Sequence, residues 1–148
     1  MASLKDQLHD DITAALRAGE KLRLSALRML SAAVTNREKE VLHELSDNEV
    51  REVAAKEVKK RTESIEAFRG AGRDELADKE TSERDVLAPY APTPLSDAEV
   101  DRLIDDAFAS TGASTPQDMG KVMGVVMSMA KGRVDGALVQ RKVMARLR

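Results

Sequence analysis

The chain has 148 residues and a formal net charge of −2; 42% of its residues are hydrophobic, 34% charged and 2% aromatic. This composition is typical of a helical protein with long solvated faces, and it argues against a β-sandwich and against disorder of the whole chain. Because the sequence contains no cysteine, disulfides, thiolate metal sites and thiol nucleophiles are excluded.

Helices are predicted nearly throughout, beginning with four in residues 1–90. Their expected bounds are about 3–17, 20–43, 46–70 and 74–87. Ser46 and Glu49 have the spacing of a capping box, in which each side chain satisfies a free backbone amide at the start of the third helix. Gly19 and Gly70 supply stop signals. The fourth helix carries few apolar residues, so we expect it to be shallowly buried.

A cluster of three prolines, Pro89, Pro92 and Pro94, follows the fourth helix. Each proline lacks an amide proton and biases the preceding residue away from the helical conformation. We therefore predict a stiff proline-rich linker at residues 91–95, which separates an N-terminal domain, 1–90, from a C-terminal domain, 96–148.

Three helices are predicted beyond the linker, at about 96–111, 116–131 and 136–147. Ser96 and Glu99 repeat the capping box, and Thr115 with Pro116 places a cap before a proline at the first helical position. Asp135 can cap the last helix. The predicted fold class is all-α, with an N-terminal helical domain of about four helices, the linker and a C-terminal three-helix unit.

Charge is distributed unevenly over the C-terminal domain. Five acidic residues against one basic residue give residues 92–111 a net charge of −4, whereas seven basic against two acidic give residues 112–148 a net charge of +5. Two interpretations remain open. The basic end could contact a phosphate-bearing partner, or its cations could complement helix C-termini and nearby acids.

The helix at 116–131 is the most informative segment. Its apolar side chains cover most of the circumference and leave one arc that is neither bulky nor apolar. The arc consists of Gln117, Gly120, Lys121, Gly124, Ser128 and Lys131. A glycine inside a helix costs roughly 1 kcal/mol relative to alanine, so two of them suggest that something comes close to the backbone. That partner could be a neighbouring helix, or a flat or phosphate-bearing molecule with the lysines at its edge.

Other polar features are interpreted as ordinary surface. His9 and His43 each follow an acid by three residues, yet His43 is predicted to face solvent, and no metal site is expected. Residues 56–61 are predicted to form a solvated helix face with the ion pairs Glu52–Lys56 and Glu57–Arg61. Arg28 and Arg37 receive the same interpretation. No apolar run approaches the ~18 residues of a membrane-spanning helix, and the N-terminus is too charged for a signal peptide, so we expect a cytoplasmic protein without membrane contact.

Several short fragments taken together resemble one known family over essentially the full chain. They are Leu24-Ser-Ala-Leu-Arg28-Met-Leu30, Asn36-Arg-Glu38, Lys60-Arg-Thr-Glu-Ser-Ile-Glu-Ala-Phe68, Gly72-Arg-Asp74, Pro89-Tyr90, Pro94-Leu-Ser-Asp-Ala-Glu99, Asp118-Met-Gly-Lys-Val-Met123 and Lys131-Gly-Arg-Val-Asp-Gly136. Their combination resembles the GatB/YqeY family, and most closely its stand-alone YqeY-like branch.

The resemblance implies a helical module that associates with tRNA. The related domain is the C-terminal tail of the B subunit of the amidotransferase that amidates Glu-tRNA(Gln) or Asp-tRNA(Asn), and the family is labelled a carbon–nitrogen ligase with glutamine as amido-N-donor. Where amidotransferase tails tend to read Gly-Lys-Ala-Asn-Pro, this chain reads Gly-Arg-Val-Asp-Gly at residues 132–136, so the partner at that turn can differ.

Catalysis by this chain alone is not expected, because no amidase nucleophile motif and no phosphate-binding loop are present. We predict no catalytic residue, metal or cofactor. The expected partner is tRNA or another structured RNA, not DNA, and the alternative is a protein–protein adaptor that uses the Gly120/Gly124 groove without any RNA role. The predicted RNA- or partner-binding residues are Gly120, Lys121, Gly124, Ser128, Lys131 and Arg133.

Overall fold

The computed structural model describes residues 2–130 and 133–147, and this part of the chain is helical without any strand. Seven α-helices make up these residues, together with 3-10 turns at Ala88–Tyr90 and Pro116–Asp118. The helices are α1 (Leu4–Ala18), α2 (Lys21–Val41), α3 (Asp47–Gly70), α4 (Asp74–Leu87), α5 (Asp97–Thr111), α6 (Met119–Ala130) and α7 (Gly136–Arg146). The all-α prediction is confirmed.

Contacts divide the chain into two compact units, unit 1 (Met1–Pro92) and unit 2 (Thr93–Arg148). Unit 1 contains α1 to α4 and unit 2 contains α5 to α7. That residues 1–90 and 96–148 behave as separate domains joined by a linker at 91–95 stays a prediction.

Local capping chemistry accounts for several helix ends of unit 1, whereas α2 and α4 begin without a side-chain cap. At the start of α3, Ser46 Oγ accepts from the Glu49 amide at 3.3 Å and Glu49 Oε1 accepts from the Ser46 amide at 3.1 Å. Gly19 ends α1 in the left-handed conformation, with φ 70°. Helix α2 ends at Val41, two residues before the predicted end at about His43, because Leu42 takes φ 61° and ψ 31°. No glycine marks that position in the sequence.

The core of unit 1 is formed by apolar side chains from all four helices. Leu27 and Leu30 on α2 and Val50 on α3 are fully buried. The expectation of shallow burial for α4 is wrong, because Ala77 and Leu87 are 0% exposed. Helix α4 is therefore buried through the small side chain of Ala77 and through Leu87 at its C-terminal end, although it has few long apolar residues.

The turn after α4 is tied to α1 through Tyr90. Its ring belongs to the core of unit 1, and its hydroxyl donates a hydrogen bond to Asp11 Oδ2. Burial and the neighbouring carboxylate raise the pKa of Tyr90, because both disfavour the phenolate. This hydrogen bond holds the turn after α4 against α1.

A buried ion cluster joins three helices of unit 1. Arg61 Nη1 donates to Glu57 Oε2 at 2.9 Å, and Arg61 Nη2 lies 3.6 Å from Met29 Sδ. Arg61 Nε lies 3.5 Å from Glu83 Oε2, which is an ion-pair distance, yet this nitrogen makes no hydrogen bond among the described residues. Arg61 and Glu83 are only 4% and 7% exposed. The prediction that 56–61 is a solvated face is therefore wrong at Arg61. Its predicted pairing with Glu57 is confirmed, whereas the predicted pair Glu52–Lys56 is not among the ion pairs of the described residues.

Unit 2 packs its three helices around a core made largely of valines. Seven side chains that are at most 1% exposed line this core: Val100, Ile104, Ala107, Val122, Val126, Val139 and Val143. The capping box of Ser96 and Glu99 is present, and Asp135 Oδ1 accepts from the Ala137 amide at 3.1 Å. Residues 116–118 form a 3-10 turn before α6 and not its first α-helical turn as predicted.

Candidate functional site

Helix α6 presents its apolar side to the core and its small residues to solvent. Val122, Val126 and Ala130 are buried, whereas every described member of the predicted arc is exposed. We call these exposed residues the glycine face. It consists of Gln117, Gly120, Lys121, Gly124 and Ser128.

The backbone at the two glycines of the glycine face is open. Apart from the backbone of its own helical turns, a Cβ atom added at Gly120 or Gly124 would meet no heavy atom of the described residues within 4 Å. By contrast, a Cβ at Gly136, where α7 begins, would lie 3.7 Å from Met127 Cε. Gly136 is therefore the glycine that packs against α6 within unit 2. No helix crossing among the described residues accounts for Gly120 and Gly124.

Among the described residues, Lys121 is the cation that borders the open backbone. Lys121 is exposed and forms no ion pair among the described residues. The nearby Asp118 accepts from the backbone amides of Ser114 and Thr115 at 3.0 and 3.1 Å, and these bonds lower its pKa, with a smaller effect from the Lys121 charge. Asp118 is thus committed to the turn before α6, which leaves the Lys121 ammonium available to an external anion.

Two further cations, Lys131 and Arg133, are among the predicted site residues. Lys131 lies outside the described residues. Arg133 holds the segment that precedes α5, because its Nε donates to Thr93 O at 2.8 Å and its carbonyl accepts from the Leu95 amide at 2.8 Å. Sequence reasoning missed these contacts, since nothing local in the sequence signals a pairing across 40 residues.

The basic charge of α7 is largely neutralised by α5. Lys142 Nζ lies 2.9 Å from Asp101 Oδ1, and Arg146 Nη1 lies 2.6 Å from Asp105 Oδ1. The hydrogen bond to Asp101 raises the pKa of Lys142. The interpretation that C-terminal cations complement nearby acids is therefore confirmed for these two residues. It does not extend to Lys121.

The histidines provide no assembled catalytic or metal-binding group in the described part of the chain. His43 is exposed, with Nδ1 2.9 Å from Glu44 O and Nε2 3.5 Å from Glu49 Oε2. The acid that precedes it by three residues, Glu40, pairs instead with Arg37 at 2.9 Å. Among the described residues, no three His, Asp or Glu side chains are grouped so that they could hold a metal ion.

No helix in residues 2–130 and 133–147 combines the length and apolarity needed to cross a bilayer.

Comparison with known proteins identifies the family. The family model described as Yqey-like protein matches residues 5–147. The chain is also similar to altered inheritance of mitochondria protein 41, mitochondrial, from Pyrenophora tritici-repentis (strain Pt-1C-BFP). The two are 33% identical over 141 residues, which cover 93% of this chain and 77% of that protein. With a family match over nearly its whole length and a relative of this similarity, the chain belongs to the Yqey-like protein family.

Proposed function

We propose that this protein is a tRNA-associated helical accessory module, resembling the tail of the Glu-tRNA(Gln)/Asp-tRNA(Asn) amidotransferase, and that it contacts structured RNA through the glycine face. Membership of the Yqey-like family supports the proposal, because the resemblance of this family to that tail implies a tRNA-associated module. The residues assigned to the contact are Gly120, Lys121, Gly124, Ser128 and Arg133, together with Lys131, which is assigned from the sequence alone.

The observation that carries the proposal is the open backbone at Gly120 and Gly124. Two helical glycines cost roughly 2 kcal/mol relative to alanines, and no described residue packs against them to offset that cost. With Ser128 they form a stripe about 12 Å long at 1.5 Å per residue. A partner could approach this stripe more closely than it could approach a helix covered with side chains, so binding can offset the cost of the glycines.

The charge beside Gly120, Gly124 and Ser128 is suited to binding a phosphate group. Lys121 supplies an ammonium without an internal partner, whereas Arg133 already uses Nε for Thr93 and has only its terminal nitrogens to offer. Aromatic residues make up 2% of the chain, too few for a platform on which bases stack. The contact should therefore depend on RNA shape and phosphate positions and not on base sequence.

A protein–protein adaptor is the second candidate function. Met129 and Met144 in unit 2 are 50% and 51% exposed, and methionine side chains adapt easily to apolar partners. In this alternative a helix of the partner protein lies against Gly120 and Gly124, and Lys121 plays no essential part.

Three further assignments belong to the same proposal. The carbon–nitrogen ligase label would apply to a larger complex in which this chain takes part, because the chain shows no catalytic motif of its own. The residues at 91–95 would act as a linker between functional domains. A cytoplasmic location is retained as a proposal, although the relative carries the word mitochondrial in its name.

The test is binding of the full chain to deacylated tRNA across a salt series. A few phosphate contacts should give a log–log slope of about −2 to −4, and Lys121→Glu should flatten that slope by about 1. The matched control is Arg141→Glu, which reverses the charge of an exposed residue on α7 in the same unit.

The outcomes separate the two candidate functions. Equal flattening by Lys121→Glu and Arg141→Glu would mean that only the total charge matters and would contradict a contact at the glycine face. Undetectable binding at low salt would overturn the RNA proposal and favour the adaptor, whose own test is co-purification of a partner with the wild-type chain and its loss in Gly124→Leu.

A further inference from the structure

A second basic surface lies on α2 in unit 1. Six residues of this helix fall within one narrow arc opposite the buried Leu27 and Leu30, and all six are exposed. We call them the α2 stripe. Its members are Lys21, Ser25, Arg28, Ala32, Thr35 and Lys39.

The charge of α2 differs from that of the rest of the chain. The helix carries five basic and two acidic residues, whereas the whole chain has a net charge of −2. Its two acids, Glu38 and Glu40, come at its end, so residues 21–37 contain four cations and no carboxylate. Two of these cations, Arg23 and Arg37, pair with the flanking Glu20 and Glu40, whereas Lys21 and Arg28 form no ion pair among the described residues. Cations without a nearby counter-charge attract anions from solution.

The three cations of the α2 stripe are not used inside the protein. Lys21, Arg28 and Lys39 take part in none of the ion pairs formed by the described residues. The neighbouring acids are already engaged with other groups: Glu20 pairs with Arg23 at 3.8 Å, Glu40 with Arg37 at 2.9 Å, and Glu38 with Lys5 at 2.8 Å. Lys21, Arg28 and Lys39 are therefore available to an external anion.

The side chains between the cations are small and mostly polar. Because the side chains of Ser25, Ala32 and Thr35 are short, they project little from the helix, and open depressions lie along it. One of them is lined by Lys21, Leu24, Ser25, Arg28, Met29 and Ala32. Lysine, arginine, serine and threonine are residue types that contact phosphate oxygens in nucleic-acid complexes. Lys21 and Lys39 are about 27 Å apart along the axis, a distance that spans several phosphates.

We infer that the α2 stripe is a second RNA-binding surface, which contacts the phosphate backbone of a structured RNA. A nucleic-acid backbone fits better than a lipid surface, because the α2 stripe itself holds no apolar side chain larger than that of Ala32, whereas a helix that lies in a membrane interface inserts a face of large apolar residues. The inference shares its ligand class with the proposed function, but it rests on a different unit of the chain and on different residues.

The test uses the full chain and a fluorescently labelled deacylated tRNA transcript across a salt series. The triple variant Lys21→Ala/Arg28→Ala/Lys39→Ala should lower the magnitude of the log–log slope by about 2 to 3. The reason is that each phosphate contact contributes about 1 to that magnitude. The control Lys56→Ala/Lys59→Ala/Lys79→Ala removes the same charge from exposed positions of α3 and α4 that form no ion pairs among the described residues. It should change the slope by less than about 1.

Two results would overturn the inference: a wild-type slope in the stripe variant, or an equal loss of slope in both triple variants. A parallel arm with phosphatidylserine vesicles tests the nature of the partner. Binding to vesicles without binding to tRNA would replace RNA by a membrane surface and overturn the assignment. Circular dichroism of each variant checks that the helices are intact.

Lys121→Glu in the same assay separates this inference from the proposed function. Loss of slope in the stripe variant alone would support the α2 stripe and contradict the glycine face. Loss in Lys121→Glu alone would do the reverse. Absence of tRNA binding by the wild-type chain at low salt would overturn both.

Discussion

At the scale of single residues, backbone strain is concentrated at Leu42. It is the one non-glycine residue with positive φ in the described part of the chain, and its side chain is 88% exposed. The left-handed conformation costs an L-residue roughly 1–2 kcal/mol, and exposure gives no packing energy in return. We predict that Leu42→Gly raises the free energy of unfolding by about 1 kcal/mol.

Urea denaturation of the full chain measures this difference. Leu16→Gly is the matched control, because it makes the same change at an exposed leucine inside α1 and should lower stability by about 1 kcal/mol. A destabilising Leu42→Gly would show that the leucine side chain has a contact that compensates for its strain.

The buried ion cluster of unit 1 is the second residue-scale feature with a large expected effect. Replacing Arg61 by methionine leaves Glu83, whose side chain is 9% exposed, without its cation, and leaves Glu57, 14% exposed, with only the exposed Lys60 at 3.5 Å. We predict that Arg61→Met costs about 3–5 kcal/mol of unfolding free energy. Adding Glu83→Gln should recover part of this loss, since it removes one of the stranded charges.

Arg69→Met serves as the control for Arg61→Met. Arg69 forms its ion pairs with Asp74 and Asp78 at an exposed position, where such pairs contribute at most about 1 kcal/mol. Similar losses in the two variants would contradict the view that the Arg61 cluster is a buried structural network.

At the scale of elements, the capping box of α5 links stability to pH. The Ser96 amide and hydroxyl hold the pKa of Glu99 below its ordinary value by donating to the carboxylate. Because the folded-state pKa is the lower one, the folded state binds fewer protons, so this stabilisation is present above the ordinary pKa of 4.5 and is lost as pH falls through the folded-state value.

Glu99→Gln is predicted to remove this pH-dependent part of the stability while an amide oxygen can still accept from Ser96. Denaturation at neutral pH and below about pH 4 should show a smaller difference between the two conditions for the variant than for the wild type. An unchanged difference would mean that other carboxylates account for the whole acid sensitivity.

The glycines of α6 provide the second element-scale prediction. Because a methyl group at either position would meet no described atom within 4 Å, Gly120→Ala and Gly124→Ala should each stabilise the chain by about 0.5–1 kcal/mol. Gly112→Ala is the control with the opposite sign, since Gly112 has φ 66° and an alanine there would be strained. Destabilisation by Gly124→Ala would show that something packs closely against that position.

Local signals predicted most of the elements, and tertiary contacts account for what the sequence did not show. Ser46 with Glu49 marked the start of α3 because a capping box is a contact between near neighbours. The glycine face was predictable because helical periodicity alone places its residues. Arg61 was misjudged, since its burial depends on Met29 and Glu83 from other helices.

At the scale of the whole molecule, a nearly neutral total charge conceals surfaces of opposite sign. Helix α2 has a net charge of +3 within a chain of net charge −2. In unit 2 Lys142 and Arg146 of α7 are paired with acids of α5, whereas Lys121 beside the glycine face forms no ion pair among the described residues. Salt-dependent association with a polyanion is therefore expected even though the total charge is negative.

The central claim is that the glycine face is open because a partner binds there, and Gly124→Leu tests it most directly. Unfolding free energy and affinity for deacylated tRNA are measured on the same preparation. The account predicts stability equal to or above that of the wild type, because the position is open, together with binding weaker by about tenfold or more, a loss of at least about 1.4 kcal/mol. Wild-type affinity in a fully folded Gly124→Leu chain would contradict it.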